Sequence, residues 1–524
     1  MQKCLILKAF CYKITKIMIK ILGSVKMFYT STRDNSVKVT ASKAITDGIS
    51  KDGGLYIPTE IPTVSLDEIK ELCSVDYKER AKRILGLYLT DFTKEELASC
   101  VDGAYMDGKF SSKDTAPVVR LHDNISILEL FKGPTCAFKD MALQILPYLL
   151  TVSAKKNLEN KEIVILVATS GDTGKAALEG FKDVEGTKIL VFYPNDGVSP
   201  MQKLQMTTQE GNNVGVCAIH GNFDDAQTGV KSIFTNKEIL NKFQENNLVF
   251  SSANSINWGR LAPQIVYYFS AYCDMVNQGS VNFGDKINIV VPTGNFGNIL
   301  AAYFAKEMGL PVNKLICASN KNKVLTDFIT TGTYDRNREF FTTDSPSMDI
   351  LISSNLERLL YLLCGRNSDT VNEWFTALNK NGKYTVSDDV KAKVQDLFAA
   401  GTCDDCGTKA AIKETYENYN YLSDTHTAVA ISVCNDYIEK TGDKTPTVIA
   451  STASPFKFSK AVLSAVDESN ATYDDEFSTV SALENLTENK APSQLAELKN
   501  KQVRFNLTAA KDDMAKVVFD MLGI

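Results

Sequence analysis

A lysine that follows a tight turn is the residue of this sequence best suited to covalent chemistry. Lys139 stands in "GPTCAFKDMALQ", just after a Gly-Pro-Thr turn and just before a predicted helix. A lysine amine can form a Schiff base with an aldehyde cofactor when its approach is fixed. The same stretch also fits an ordinary solvated lysine in the first turn of a helix, so the motif alone leaves both interpretations open.

Two glycine-rich turns could hold an anion near such a lysine. Residues 169–174 read "TSGDTG" and residues 293–298 read "TGNFGN", and each turn leads into a predicted helix. Free N–H groups and the helix dipole at such a start favour a carboxylate or a phosphate. The second turn is not a Walker A loop, because no GK[ST] follows it. Both turns are also compatible with capped turns that bind nothing.

Two further polar stretches complete the candidate chemistry. Residues 251–260, "SSANSINWGR", place Arg260 close to several amides and hydroxyls, and its guanidinium could bind a phosphate through two N–H groups. The alternative is a helix N-terminus that Ser255 or Asn257 caps, with Arg260 exposed. Thr452 follows an apolar run, where its hydroxyl could contact a ring nitrogen or solvent.

Buried strands must position these residues. Five apolar runs of strand type alternate with predicted helices, at 162–168, 187–194, 213–221, 285–292 and 445–451. This alternation predicts parallel sheets covered by helices on both faces. Ligands of such folds bind at the carboxyl ends of the strands, where the two glycine turns and Thr452 lie. We therefore expect these groups to come together.

The two ends of the chain differ from this pattern. Residues 27–115 predict a helical N-terminal region with capped helix starts, and residues 464–493 predict a loose polar connection. The first 26 residues contain six lysines and no acid, which disfavours a membrane span. They fit an amphipathic targeting segment, or a segment upstream of a working start at Met27, and we favour the latter.

Composition excludes several classes of protein. The 524 residues carry a net charge of -6, so no basic face for nucleic acid is indicated. The 12 cysteines are scattered without a disulfide framework, which favours a cytoplasmic location. Cys403 and Cys406 form a CxxC, but no second pair or HxxxH accompanies them, so we expect free thiols and no metal site.

Together these pieces resemble the threonine synthase family, whose members are pyridoxal-phosphate enzymes of the tryptophan-synthase-β-like fold. The resemblance runs from about Met27 to Phe458, in the family's order, and indicates the branch with an extra N-terminal domain. It rests on "KDGGLYIP", "GPTCAFKD", "ATSGDTGKAA", "YPNDGVSPMQ", "NSINWGRLAPQIVYYF", "PTGNFGNI" and "STASPFKF". The co-ordered set is far more specific than any single motif.

The resemblance implies an α/β fold of fold type II, with two parallel-type sheet domains flanked by helices and a small N-terminal domain. We expect the N-terminal domain at 27–115, after an extension of doubtful status at 1–26. A large cofactor-binding domain should combine 116–160 with 280–524. A small α/β domain should occupy 161–279.

The resemblance also implies roles for the candidate residues. Lys139 corresponds to the lysine that carries pyridoxal 5′-phosphate, and Thr452 to the hydroxyl that faces the pyridine nitrogen and leaves it unprotonated. The family's loop that holds the cofactor phosphate corresponds to Gly294, Asn295, Phe296, Gly297 and Asn298. The family's residues that hold the amino-acid end of the substrate correspond to Ser170, Asp172 and Thr173. Those that contact the substrate phosphate correspond to Asn254, Ser255 and Arg260.

The implied reaction converts O-phospho-L-homoserine and water to L-threonine and phosphate, by γ-elimination followed by addition of water at Cβ. Lys139 would remove protons from Cα and Cβ, which requires a lowered pKa. The partner would be this small molecule, with no nucleic acid or membrane, in a monomer or homodimer. Two alternatives remain: a phospholyase that releases 2-oxobutanoate, and a non-catalytic binding protein on the same fold.

Two positions depart from the family pattern. Ser454 stands where the family's "TAHP" has histidine, and Thr425 stands where "DPH" has proline. Neither position is Lys139. Both bear on the polarity of the site and on reaction specificity.

Overall fold

The computed structural model of the protein describes residues 26–159, 161–169, 171–195, 198–221, 223–470, 473 and 475–524. Residues 1–25 and Ser170, on which two of the predictions rest, lie outside the described residues. No helix within the described ranges is both long and apolar enough to cross a membrane.

The N-terminal part consists of two short antiparallel strands and four helices. Its elements are β1 (Tyr29–Ser31), α1 (Ala41–Asp47), β2 (Tyr56–Pro58), α2 (Leu66–Leu72), α3 (Tyr77–Tyr88) and α4 (Lys94–Ala104). Ser65 and Thr93 form capping boxes at the starts of α2 and α4, as the sequence predicts. Tyr29 and Tyr88 pack edge-on against the buried Trp258, which attaches this part to the rest of the molecule.

The middle of the chain alternates strands and helices. It begins with β3 (Val118–His122), β4 (Ile125–Glu129), α5 (Asp140–Leu143) and α6 (Leu146–Asn157). It continues with β5 (Glu162–Ala168), α7 (Asp172–Phe181), β6 (Thr187–Pro194), α8 (Pro200–Thr207), β7 (Val214–His220), α9 (Phe223–Thr235), α10 (Lys237–Glu245), β8 (Leu248–Ser251) and α11 (Trp258–Asn277).

The same alternation continues to the C-terminal end. The next elements are β9 (Ile287–Pro292), α12 (Gly297–Glu307), β10 (Val312–Ser319), α13 (Val324–Thr331), β11 (Thr333–Asp335), α14 (Leu356–Leu363), α15 (Ser368–Asn381), β12 (Lys383–Thr385), α16 (Asp388–Leu397) and β13 (Phe398–Thr402). The last are α17 (Asp405–Tyr419), α18 (Thr425–Thr441), β14 (Thr447–Ser451), α19 (Ser459–Val466), α20 (Glu476–Thr487), α21 (Ser493–Ala496), β15 (Thr508–Ala510) and α22 (Met514–Leu522).

Two sheets organise these elements. One has six strands in the order β13-β10-β9-β14-β4-β3, all parallel except β3, which lies antiparallel at the edge. The other has five parallel strands in the order β15-β7-β6-β5-β8. The predicted α/β fold with two parallel-type sheets and a small N-terminal domain is therefore confirmed.

The five strands predicted from apolar runs coincide with β5, β6, β7, β9 and β14. They are recognisable because helices cover both faces of each sheet, so nearly every side chain of the strand must be apolar. The prediction of a loose connection at 464–493 was wrong. Part of it is helix α20, which packs Val480 and Leu483 into a small core.

The C-terminal end of the chain joins the five-stranded sheet. β15 pairs in parallel with β7, and Met514 and Val518 of the following helix pack into the core on that sheet. The domain division predicted from the sequence placed residues 280–524 with the other sheet. The domain boundaries themselves stay a prediction.

Candidate active site

Lys139 lies at the start of helix α5, and its side chain is grouped with those of Ser347, Asp172, Lys457 and Arg260, a set of residues that we call the crevice. Its Nζ donates a hydrogen bond to the Ser347 hydroxyl at 3.4 Å and lies 3.8 Å from Oδ2 of Asp172. Burial lowers the pKa of Lys139, and the nearby charges of Lys457 and Arg260 lower it further, against the opposing effect of Asp172. The amine is therefore easier to deprotonate than that of a solvated lysine.

Asp172 accepts hydrogen bonds from two other side chains. Lys457 Nζ approaches Oδ1 at 2.7 Å, and Gln202 Nε2 donates to the same oxygen at 3.0 Å. Burial by itself would raise the pKa of Asp172, but the charges of Lys457 and Lys139 outweigh it, so the pKa lies well below its usual value. Asp172 is therefore a carboxylate, and such a group suits contact with an amine.

The turn at 169–174 is held by its own threonine. The Thr169 hydroxyl accepts the N–H groups of Gly171 and Gly174, at 3.0 and 2.9 Å. Gly171 has φ of +138°, and a Cβ there would lie 2.4 Å from the Gln202 side chain. Thr173 is half-buried at the start of α7, and its side chain bonds to no described residue. The Thr169 hydroxyl thus occupies two N–H groups of the turn, and the turn places Asp172 near Lys139.

The second glycine turn leads from β9 into α12. Phe296 has φ of 61°, a left-handed conformation that is uncommon for a bulky residue and costs free energy. Its buried ring and the hydrogen bonds around the turn hold it there. The Ser353 hydroxyl donates to Gly294 O at 2.8 Å, and Asn355 donates to Asn295 O through its backbone and side chain, both at 3.1 Å.

Gly294 is the point at which the turn meets the segment that carries Ser347. A Cβ on Gly294 would lie 2.5 Å from the Ser347 carbonyl oxygen. We expect Gly294→Ala to push Ser347 away from Lys139, at a cost of about 1–3 kcal/mol, and to weaken binding of the cofactor that the resemblance implies about tenfold or more. Titration of the apoprotein with the cofactor, together with a melting curve, measures both effects.

Gly86 in α3 supplies the matched control for this variant. A Cβ there meets Leu97 Cδ2 at an ordinary 3.6 Å, so Gly86→Ala should leave cofactor affinity unchanged. Its melting temperature should stay the same or rise, because alanine is favoured over glycine inside a helix. Equal cofactor affinity in G294A and the wild type would contradict the packing argument.

Asn298 presents an unused amide to the same turn. Its Oδ1 accepts hydrogen bonds from the hydroxyls of Tyr267 and Tyr268, at 2.6 and 2.5 Å. Its Nδ2 is buried and has no partner among the described residues. Buried donors are normally satisfied, so this N–H₂ group is available to an acceptor such as a phosphate.

Arg260 is buried, contrary to the exposed position that one interpretation expected. Asn257 caps α11 by accepting the Gly259 N–H at 2.9 Å, while Arg260 donates to Ala253 O at 2.5 Å. No carboxylate within the described ranges pairs with its guanidinium, whose Nε has no partner. Burial lowers the pKa of Arg260 to about 10. An unpaired buried cation indicates that an anion binds here.

The other predicted contact residues make few hydrogen bonds through their side chains. Ser255 accepts a hydrogen bond from Asn355 at 3.4 Å, whereas the Asn254 side chain bonds to no described residue. Thr452 is buried beside Lys139, since its carbonyl accepts the Phe138 N–H at 2.8 Å. The Thr452 hydroxyl has no partner among the described residues.

A histidine supports the segment that faces Lys139. His426 Nε2 accepts the Ser347 backbone N–H at 3.1 Å, and its Nδ1 lies 2.9 Å from Asp424 Oδ1. Because Nε2 is the acceptor, the ring proton is assigned to Nδ1, which donates to Asp424. The adjacent Thr425 hydroxyl is buried without a partner in the described part of the chain.

Sequence reasoning missed Lys457 and Ser347. Lys457 stands in the quoted motif "STASPFKF", in a single turn of 3-10 helix after β14, and is fully buried. A lysine between two phenylalanines was a usable signal. Ser347 carried none, because it lies in a single turn of 3-10 helix, Pro346–Met348, that only the tertiary fold brings to Lys139.

Arg358 links the crevice to the N-terminal part. Its guanidinium donates to Tyr56 O at 2.9 Å, to Asn355 Oδ1 at 2.6 Å and to Ile256 O at 2.5 Å. Burial lowers the pKa of Arg358 to about 9. One fully buried side chain thus joins β2, the residues before α11 and the residue that supports the second glycine turn.

Comparison with known families defines the class of this fold and site. Sequence profiles match residues 28–105 (threonine synthase N terminus), 121–453 (pyridoxal-phosphate dependent enzyme) and 427–518 (threonine synthase, C-terminal). The second profile covers more than half of the chain, which is therefore a member of the pyridoxal-phosphate-dependent enzymes. The two flanking profiles narrow this class, and the chain belongs to the threonine synthase family.

Individual relatives agree with this assignment. The chain is 36% identical over 468 residues to threonine synthase of Schizosaccharomyces pombe, covering 84% of this chain and 89% of the relative. Pyridoxal-phosphate-bound threonine synthase from Brucella melitensis has a TM-score of 0.84 at 34% identity, covering 94% and 99% of the two chains. Human threonine synthase-like 1 is 40% identical over 472 residues, covering 85% of this chain, which spans 63% of the human protein.

Proposed function

We propose that the protein converts O-phospho-L-homoserine and water to L-threonine and phosphate. The observation that carries the proposal is the pair formed by Lys139, whose burial lowers its pKa, and the buried unpaired guanidinium of Arg260. A reactive amine and an anion site in one crevice suit an amino acid that bears a phosphate. The predictions of a cytoplasmic location and of a monomer or homodimer accompany this proposal.

The residues of the crevice fit pyridoxal phosphate. When bound, it supplies an aldehyde that attaches to an amine and a ring that accepts electrons from a bond broken at Cα. We assign covalent attachment to Lys139 and phosphate binding to residues 294–298, where the Asn298 amide lacks a partner and α12 begins. The neutral Thr452 hydroxyl would face the ring nitrogen.

Lys139 is also the proposed proton carrier. Because burial favours its neutral form, Nζ can take the proton from Cα and pass it to an oxygen of the departing phosphate. The amine, neutral again, can then take the proton from Cβ and deliver it to Cγ, and a proton of the added water can return through Nζ to Cα. The Ser347 hydroxyl, 3.4 Å from Nζ, holds the amine in the crevice between these steps. His426 fixes the Ser347 peptide and thereby its hydroxyl.

The substrate would lie between two groups of side chains. Asp172 would accept the substrate amine, since its carboxylate has hydrogen-bond donors on one oxygen only. Thr173 and Ser170 complete the predicted contacts to the amino-acid end, the latter outside the described residues. Arg260 would bind the substrate phosphate, with Ser255 and Asn254 beside it.

Product identity tests the proposal. The purified protein, loaded with pyridoxal phosphate, is mixed with O-phosphohomoserine, and phosphate, threonine and 2-oxobutanoate are measured together. Equal amounts of phosphate and threonine are expected. Phosphate released with 2-oxobutanoate would replace the proposal with the phospholyase, and absence of turnover by a cofactor-loaded protein would favour the binding protein.

A further inference from the structure

A second lysine of the crevice has no role in the reaction described above. Lys457 is fully buried, and its Nζ donates to Thr135 O at 3.0 Å and lies 2.7 Å from Asp172 Oδ1. Burying an ammonium is costly, so a lysine with no exposed surface needs both a counter-charge and hydrogen bonds. Lys457 has both, because Asp172 and the Thr135 carbonyl face it.

Asp172 lies between two lysines at unequal distances. Lys457 Nζ contacts one carboxylate oxygen at 2.7 Å, whereas Lys139 Nζ lies 3.8 Å from the other oxygen, beyond hydrogen-bond distance. One carboxylate can compensate one ammonium. At these distances Asp172 is the counter-ion of Lys457, and Lys139 is left without a full counter-ion.

Other charged groups also face Lys139. Arg260 opposes a positive charge on its amine, and Asp140 favours one. Asp140 is engaged elsewhere, because it accepts the backbone N–H and the hydroxyl of Thr135, both at 2.8 Å. Ser347 also faces Lys139. Its hydroxyl accepts a hydrogen bond from Nζ, and its backbone N–H donates to the ring of His426. The balance around Lys139 thus depends on whether Asp172 is already paired.

We propose that Lys457 is a positioning residue that occupies Asp172 as its counter-ion and so keeps Lys139 a free amine, ready to bind the cofactor aldehyde and to accept protons. The inference rests on the proposed role of Lys139. Without Lys457, the whole negative charge of Asp172 would act on Lys139 and favour its protonated form. The amine would then become free only at higher pH.

Attachment of the cofactor to the apoprotein tests this independently of turnover. The probe is pyridoxal phosphate, whose aldehyde reacts only with a neutral amine, and the growth rate of the visible absorption band is recorded against pH. For Lys457→Met we expect the midpoint of this profile to rise by about one pH unit or more. At neutral pH, attachment should then slow about tenfold.

A second variant separates charge from packing. Asp172→Asn combined with K457M removes both charges and keeps the side-chain volumes, so its midpoint should return to within about half a pH unit of the wild type. Lys460→Met, which removes an exposed lysine three residues further on, should leave the profile unchanged. All variants are first compared by melting curve.

Two results would overturn the proposal. One is a K457M profile that coincides with the wild-type profile, and the other is a double variant whose midpoint shifts as far as that of K457M. Should K457M not fold, Lys457→Gln, which also removes the charge, takes its place in both comparisons, and the same two results would overturn the proposal. Because no phosphorylated substrate is used, these outcomes do not depend on which product the enzyme forms.

Discussion

Replacing Lys139 by alanine is expected to abolish covalent attachment of pyridoxal phosphate and to lower kcat/KM by more than about 10³-fold, since one amine supplies both the attachment and the proton transfers. The side chain lies in a crevice, where its neighbours favour the neutral amine. The visible band of the wild type should be absent from the variant. Borohydride reduction followed by peptide mass spectrometry should find the cofactor on the peptide that contains residue 139.

Lys132 provides the matched control in the same segment. It is partly exposed and pairs at 2.9 Å with Glu129, whose other oxygen accepts the Tyr421 hydroxyl at 3.2 Å, so Glu129 keeps a partner in the variant. Lys132→Ala should keep the band and the turnover. A K139A protein that retained both would remove Lys139 from the site.

Arg260→Gln is expected to raise the KM for the phosphorylated substrate about 10- to 100-fold, the loss of one charge-assisted interaction of about 1.5–3 kcal/mol. The stability of the apo variant, by contrast, is expected to stay the same or to increase. A buried guanidinium with no carboxylate partner among the described residues costs folding free energy, so the apo variant should melt at the same temperature as the wild type or higher. Added inorganic phosphate should stabilise the wild type and not the variant.

Arg120→Gln is the comparison for this result. Arg120 is exposed and donates to the Asp123 carbonyl, so its removal should change neither KM nor the response to phosphate. If R260Q kept the wild-type KM, the phosphate would have to bind elsewhere. If R260Q lost cofactor affinity in place of substrate affinity, Arg260 would belong to the cofactor phosphate.

The sequence predicts those elements of the fold that have a local sequence pattern. Continuous apolar runs located β5, β6, β7, β9 and β14, because strands covered on both faces tolerate few polar residues. Lys139 and the turn at 293–298 were recognised because each stands beside a local signal, a Gly-Pro-Thr turn or a strand end. The buried position of Arg260 had no such signal, since a cap at Asn257 is compatible with either orientation.

The unpredicted part depends on contacts between distant segments. β15 has three residues and little apolar character, so only its pairing with β7 makes it a strand. Lys457 and Asp172 lie far apart in sequence, and no periodicity indicates that they pair. The same holds for Ser347, which reaches Lys139 across 208 positions.

The Arg358 link has a consequence for the order in which the molecule matures. Its hydrogen bonds join it to Tyr56, 302 positions earlier, and to Ile256, 102 positions earlier. Contacts across such separations close late, because the entropy of the intervening chain must be overcome first. The contact between the N-terminal part and Arg358 can form only after both segments have been synthesised, and Arg358 also holds Asn355, which donates to the second glycine turn. Binding of the cofactor should therefore lag behind compaction during refolding. The visible absorption band of the bound cofactor would then appear only when the molecule is fully folded.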